Sequence, residues 1–408
     1  MIEKKHHPKI TSPHMEKTHT PQSRWPIIGL LLVQLLTGIT LSPAANFFGI
    51  YLNEVIGYSI RQVAQVMALG RVAGMFSSLL GGGLSDRWGP KRVWILGVGA
   101  IALSSLAFVF RIPWLIVLLW ALSGVGLGLT TLGGQSYLTL AAGVSTLGVL
   151  SALYNWGYTI GGAIGNPLAA GLLDQFGFTL LGLVLAGIGL CTALVAILLP
   201  NLKASTNPLL TVNALPGYRV LLQRRIIILG MLRFLPTCFY GVTTLLPLVI
   251  KQQGGSNSAV AYYAAGSAVL ASLTQLLAGR ASDRWGVHWP TRIAFATILL
   301  SIVGIILTAQ SLWGLYLFGA VGVSAAWALS TLLPGLVTMA AEPQIRGRVF
   351  GMLFLLWTTG MILGTLLGGA LLDVDLRLPF LVVGLLNILA LSLTVPFFRM
   401  NPPQPQFT

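Results

Sequence analysis

Charge is what this 408-residue sequence has least of: only 8% of its residues are Asp, Glu, Lys or Arg, while 55% are hydrophobic. A water-soluble chain of this length needs far more charge to cover its surface, which excludes a soluble enzyme or binding module. Acids are the scarcest of all. The nine of them (Glu3, Glu16, Glu54, Asp86, Asp174, Asp283, Glu342, Asp373 and Asp375) fall in tails, loops or helix ends. No carboxylate is therefore placed near mid-membrane, where proton-coupled carriers need one. Cysteine occurs twice, as Cys191 and Cys238, both inside apolar runs where packing is the ordinary role. The Walker A spacing is missing, so ATP is not the direct energy source. The glycines of 124–134 miss the dinucleotide spacing and read as close helix packing. Neither a Ser/His/Asp, Cys/His nor metal-ligand constellation occurs in the apolar runs, so no enzyme, metal or cofactor is expected. His6, His7, His14 and His19 belong to a solvated leader.

Long apolar runs are abundant, and the mean hydropathy is +0.84. Crossing about 30 Å of hydrocarbon takes about 20 helical residues. Twelve runs qualify: 26–49, 62–84, 92–110, 114–138, 148–173, 178–200, 226–250, 259–279, 292–309, 313–339, 348–372 and 379–398. They are continuous rather than alternating and too long for barrel strands. The expected class is an all-α membrane protein.

The net charge of +15 is distributed for topology rather than for nucleic acid. With both termini placed in the cytoplasm, eighteen of the 24 basic residues fall on the inner side. Arg61, Arg111, Lys251 and Arg377 are outside, and Arg71 and Arg233 lie within spans. This bias predicts a multi-pass protein of the inner, or plasma, membrane, with the basic loops against an anionic leaflet. Ser42-Pro43-Ala44-Ala45 is a weak cleavage signal, but the preceding polar stretch is long for a signal peptide, so a retained first helix is expected.

Two stretches recur at nearly one offset. Ser-Asp-Arg-Trp-Gly at 85–89 returns at 282–286, 197 residues later, and "GGAIGNPLAAGLLD" at 161–174 matches "GMILGTLLGGALLD" at 360–373, 199 residues later. The expected organisation is a leader (1–25), a six-helix bundle (26–200), a cytoplasmic linker (201–225), a second six-helix bundle (226–398) and a tail (399–408).

The charged turn resembles the signature of the major facilitator superfamily of secondary transporters, met here by Gly82, Leu84, Ser85, Asp86, Arg87, Gly89, Lys91 and Arg92. The second copy keeps Asp283, Arg284, Gly286 and Arg292 but has Ala281 where the signature has leucine. The resemblance implies twelve helices in two pseudo-symmetric bundles that rock about a central site. It also implies a reversible latch. Asp86 would contact the start of the eleventh span near Arg346 and Arg348 when the cytoplasmic side is closed, and Asp283 would form a weaker second clasp. The plainer reading of the same residues is a charged loop that sets topology.

A central cavity of this fold would draw on Gln34, Asn46, Gln135, Asn155, Trp156, Tyr240, Gln275, Trp327 and Trp357. Buried amides without partners are costly, so several are expected to face water or substrate; the aromatics serve equally well as packing or interfacial anchors. Arg71 and Arg233 each cost about 2.5–3.5 kcal/mol at the bilayer centre on insertion scales. Each either binds an anionic group on the substrate or holds a neighbouring helix. Trp120 to Gly124 lack the arginine and glutamine of the drug/proton antiporter pattern, and Asn166 interrupts the glycine-proline pattern of the fifth span. The favoured expectation is a monomeric permease for a small organic solute, with an anionic group suggested by the arginines and a uniport or exchange mechanism. Multidrug or metabolite efflux is the alternative, and a non-transporting membrane sensor or scaffold the alternative of another class.

Overall fold

The computed structural model describes residues 25–141, 147–202, 221–342 and 345–400, apart from the side chains at 82, 86 and 147–149. The expected leader before Trp25, most of the expected linker and the tail beyond 400 lie outside the described residues. No strand occurs among those described. The chain runs through α1 (Trp25–Glu54), α2 (Ile60–Trp88), α3 (Pro90–Ser104) with a 3₁₀ turn (Ser105–Phe108), α4 (Pro113–Ala141), α5 (Leu147–Leu198), α6 (Arg224–Thr243), α7 (Leu246–Gln252), α8 (Asn257–Trp285), α9 (His288–Leu307), α10 (Leu312–Ala340), α11 (Arg346–Leu371) and α12 (Arg377–Met400).

Eleven helical stretches among the described residues are long and apolar enough to cross a bilayer. The longest, α5, contains a non-helical residue, Gly177 (φ 74°, ψ −177°), which only glycine adopts readily. Leu168 and Leu172 before it line the same cleft as Leu181 and Leu185 after it, so α5 is two spans folded on each other. The result is twelve crossings in two pseudo-symmetric six-helix bundles. Large apolar side chains such as Leu198, Leu307 and Leu385 are exposed, as expected where the solvent is lipid.

The run 226–250, expected as one helix, is broken between α6 and α7. Pro247 sits in the first turn of α7 and has no N–H to continue the ladder back to Thr243. Helices α2 and α8 begin alike: Ser59 accepts from the Gln62 amide and Ser256 from the Ala259 amide, each serine capping its helix. They also end alike, at Gly89 (φ 84°) and Gly286 (φ 75°), so the glycine of the repeated pentapeptide is required by its backbone.

The repeat is equally visible in packing. A Cβ on Gly165 would stand 2.7 Å from the Ile39 carbonyl oxygen, and one on Gly364 would stand 2.1 Å from that of Cys238. Both residues of the second pair follow those of the first by 199 positions. Small residues thus seat α5 on α1, and α11 on α6, at backbone contact distance.

Candidate functional site

Two ends of the molecule can be distinguished. One carries the charged hairpins at Gly89 and Gly286; the other, called distal here, carries the turns at Gly57 and Gly254. The distal end is closed between the halves. Glu54 of α1 pairs with Lys251 of α7 at 3.8 Å, and Asn53 accepts from Gln252 at 3.4 Å. Asp174 of α5 accepts from Asn257 of α8 at 2.8 Å, and Asp373, just past α11, accepts from the Arg61 backbone of α2 at 3.3 Å.

Below this closure, Arg71 of α2 reaches across to α11. Its Nη1 donates to the Met361 carbonyl at 3.2 Å and to the Thr365 hydroxyl. Thr365 Oγ1 in turn lies 3.1 Å from the Gly241 carbonyl and 2.8 Å from that of Met361. Tyr240 lies within electrostatic range of Arg71, and Tyr158 and Tyr263 lie within range of Tyr240.

Arg233 stands on α6 in the second half. Its Nη1 donates to Ser330 Oγ of α10 at 2.8 Å, and its guanidinium lies 5.8 Å from the Trp357 ring of α11. Its Nε is buried and has no hydrogen-bond partner among the described residues. Tyr240 meets Trp327 edge-on, with ring centroids 5.8 Å apart. Arg233, Tyr240, Trp327, Ser330 and Trp357 share a narrow cleft with about 30 Å³ of free volume in the described state. An aromatic wall with one guanidinium can hold a flat organic group by its face and a negative group by its edge.

The structure thus brings together four of the residues singled out in the sequence: Arg233, Tyr240, Trp327 and Trp357. Arg71 stands apart from that cleft, held by α11. Asn46 donates to Asn166 Oδ1 and to the Ser42 carbonyl, both at 3.0 Å, within the first half. Gln135, Asn155 and Trp156 are exposed on α4 and α5, and Gln275 is half-buried on α8. Gln34 is buried, and its Oε1 lacks a partner among the described residues.

Of the hairpin residues, Arg87, Arg92, Asp283 and Arg284 are exposed. Lys91 donates to the Ile197 and Leu199 carbonyls at the end of α5. Arg346 bonds to the Ala341 and Thr338 carbonyls of its own half, at 3.2 and 3.5 Å. Arg348 is half-buried. The side chain of Asp86 and the position of any Cβ at Gly82 lie outside the described residues.

Sequence reasoning missed Tyr158, Asn166, Ser330 and Thr365. The repeat carried a usable signal for three of them. Tyr158 and Trp357 are 199 positions apart, as are Asn166 and Thr365. Ser330 had no such signal, since a lone serine in an apolar helix is ordinary packing.

Twelve crossings, glycine-seated helix pairs repeated between halves and a cleft lined by helices of the second half are now matched by a sequence comparison. The profile of the Major Facilitator Superfamily matches residues 30–338 and 269–408. The chain belongs to the Major Facilitator Superfamily. It is a multi-pass membrane transporter of that family. The MFS-type transporter YhhS of Escherichia coli strain K12 is 27% identical over 338 residues, 78% of each chain. The tetracycline resistance protein of class H from Pasteurella multocida is 28% identical over 191 residues, 44% of this chain and 45% of that one. The crystal structure of the nucleoside transporter NupG shares the fold, with a TM-score of 0.73 at 16% identity, covering 92% of this chain and 99% of that one.

Proposed function

We propose that this transporter carries a small organic anion by alternating access, with Arg233 binding the negative group and Tyr240, Trp327 and Trp357 enclosing the organic part. The supporting observation is Arg233 itself. A guanidinium inside a membrane bundle with no carboxylate partner among the described residues, and with a buried Nε unpaired, is costly unless a ligand completes it. The corresponding residue of the first half is Gln34, also with an unpaired buried atom. The two halves would then offer a cation and an amide to opposite sides of one solute. Without a mid-membrane carboxylate, the cycle is uniport or anion exchange.

In this reading the hairpin end faces the cytoplasm of a cell with both termini inside, the distal end faces out, and the protein works as a monomer in the inner membrane. The described state is then closed to the outside. The charged hairpins at 85–92 and 282–286 form the opposite latch, with Asp86 against the start of α11.

The test is counterflow of labelled organic acids, and of neutral and cationic compounds, into proteoliposomes. Uptake of an acid that Arg233→Ala abolishes supports the reading. Unchanged transport of neutral or cationic compounds by that variant supports the second reading, drug efflux, which the likeness to a tetracycline resistance protein favours.

A further inference from the structure

The repeat that ends at Leu-Leu-Asp, 172–174 and 371–373, has a second use that the cleft does not absorb. Asp373 Oδ2 accepts at 3.3 Å from the backbone N–H of Arg61, in the first turn of α2. Asp174 Oδ1 accepts at 2.8 Å from Nδ2 of Asn257, the first residue of α8. These two helices are themselves repeat mates. Their capping serines, Ser59 and Ser256, and the glycines of the preceding turns, Gly57 (φ 82°) and Gly254 (φ 85°), are 197 positions apart. Each half therefore sends its aspartate to the N-terminus of the same helix in the other half.

The chemistry suits a contact that must form and break. The first turn of a helix carries unpaired N–H groups and a partial positive charge, which a carboxylate stabilises. Both aspartates are exposed, so each contact alone is weak and quickly released. Around Asp174 the network continues: Lys251 Nζ donates to Asn257 Oδ1 at 2.9 Å and pairs with Glu54 Oε1 at 3.8 Å, crossing between halves a second time. Asp375, two residues past Asp373, provides a contrast. Among the described residues it accepts only locally, from the Arg377 amide at 2.6 Å, at the start of α12.

We infer that Asp174 and Asp373 are paired gate residues of the transport cycle, each holding the distal end shut through the first turn of the second helix of the opposite bundle, Asp373 at a backbone N–H and Asp174 at the Asn257 side chain. The charged hairpins stand at the other ends of these same helices. On the alternating-access reading proposed above, on which this inference rests, α2 and α8 carry a lock at each end and the two locks belong to opposite states. The inference is independent of which solute is carried.

The experiment measures distances rather than transport, so it does not depend on the substrate. Spin labels go on Arg111→Cys and Gln310→Cys, two exposed distal positions 199 residues apart, after Cys191→Ser and Cys238→Ala. Double electron–electron resonance in lipid nanodiscs then reports the distal opening. The parent should show mainly the short distance. Asp174→Asn with Asp373→Asn should raise the long-distance fraction on the order of tenfold, the combined effect of two helix-terminus contacts. Asp375→Asn should match the parent. A double variant whose distribution superimposes on the parent, or an Asp375→Asn variant that opens equally, overturns the inference. Should the double variant fail to fold, the single variants Asp174→Asn and Asp373→Asn must each raise the long-distance fraction, and no shift in either overturns it as well.

Discussion

Gly364 lies so close to Cys238 that a Cβ on the glycine would stand 2.1 Å from the Cys238 carbonyl oxygen. That oxygen belongs to the backbone of α6 and cannot swing aside as a flexible side chain does. Gly364→Ala must therefore push α11 away from α6, an overpacking cost of about 1–3 kcal/mol. Gly165→Ala meets the Ile39 carbonyl at 2.7 Å and should cost less. Thermal unfolding of the two variants in detergent, followed by light scattering or a thiol-reactive dye, checks both the loss and its order.

The same pair shows how much was legible beforehand. Gly165 and Gly364 stood out because the chain repeats itself, and an offset of 199 implied equivalent contacts before any contact was visible. The spans were legible because lipid demands long uninterrupted apolar helices. Partners were another matter. Thr365 binds Arg71 from 294 positions away, and nothing in either local pattern joins them. Asn46, expected to face the cavity, is instead occupied by Asn166, because a buried amide in lipid takes the nearest polar group. The break at Thr244 and Leu245 was overlooked because Pro247 lies in an otherwise unbroken apolar run. Such prolines do sit within membrane helices, as Pro43 does in α1, so residue type alone does not mark a break.

Gly89 and Gly286 hold φ of 84° and 75° at the ends of α2 and α8. A Cβ meets nothing within 4 Å at either position, so space is not the constraint and backbone conformation is. Alanine there should cost about 1–3 kcal/mol per site, because positive φ with ψ of 148° and 166° is a region essentially reserved for glycine. The expected result is a lower unfolding temperature for Gly89→Ala and Gly286→Ala by similar amounts. Valine at the same positions should cost more than alanine, because its branched Cβ crowds its own backbone at positive φ.

Arg71 bridges α2 to the Met361 carbonyl and to Thr365, tying the two halves together in the described state, and a gate role for it is testable. Arg71→Gln should then slow the maximal rate of transport on the order of tenfold, since a buried charge-assisted contact is worth about 1.5–3 kcal/mol. The apparent affinity for substrate should stay within about twofold, because a gate contact adds little to ligand binding. The reverse pattern, weakened affinity at an unchanged maximal rate, would assign Arg71 to the substrate instead. Initial rates in proteoliposomes over a range of substrate concentrations separate the two.

Arg233 offers its charge, its fork and its seat over Trp357, and three substitutions separate them. Arg233→Gln removes the charge and should weaken organic-anion binding on the order of a hundredfold, the upper range for a charged hydrogen-bonded contact. Arg233→Lys keeps a charge but offers a point donor in place of the planar fork, so recovery should be partial. Trp357→Leu removes the ring 5.8 Å from the guanidinium and loses about 0.5–2 kcal/mol of cation–π attraction. Because Ser330 still holds Nη1 at 2.8 Å, the leucine variant should keep the arginine in place and lose only a few-fold in affinity. Ligand-induced thermal shifts with a panel of aromatic and aliphatic acids give the ranking Trp357→Leu, Arg233→Lys, Arg233→Gln in increasing loss. A glutamine variant that binds the acids as tightly as the parent would remove Arg233 from the site.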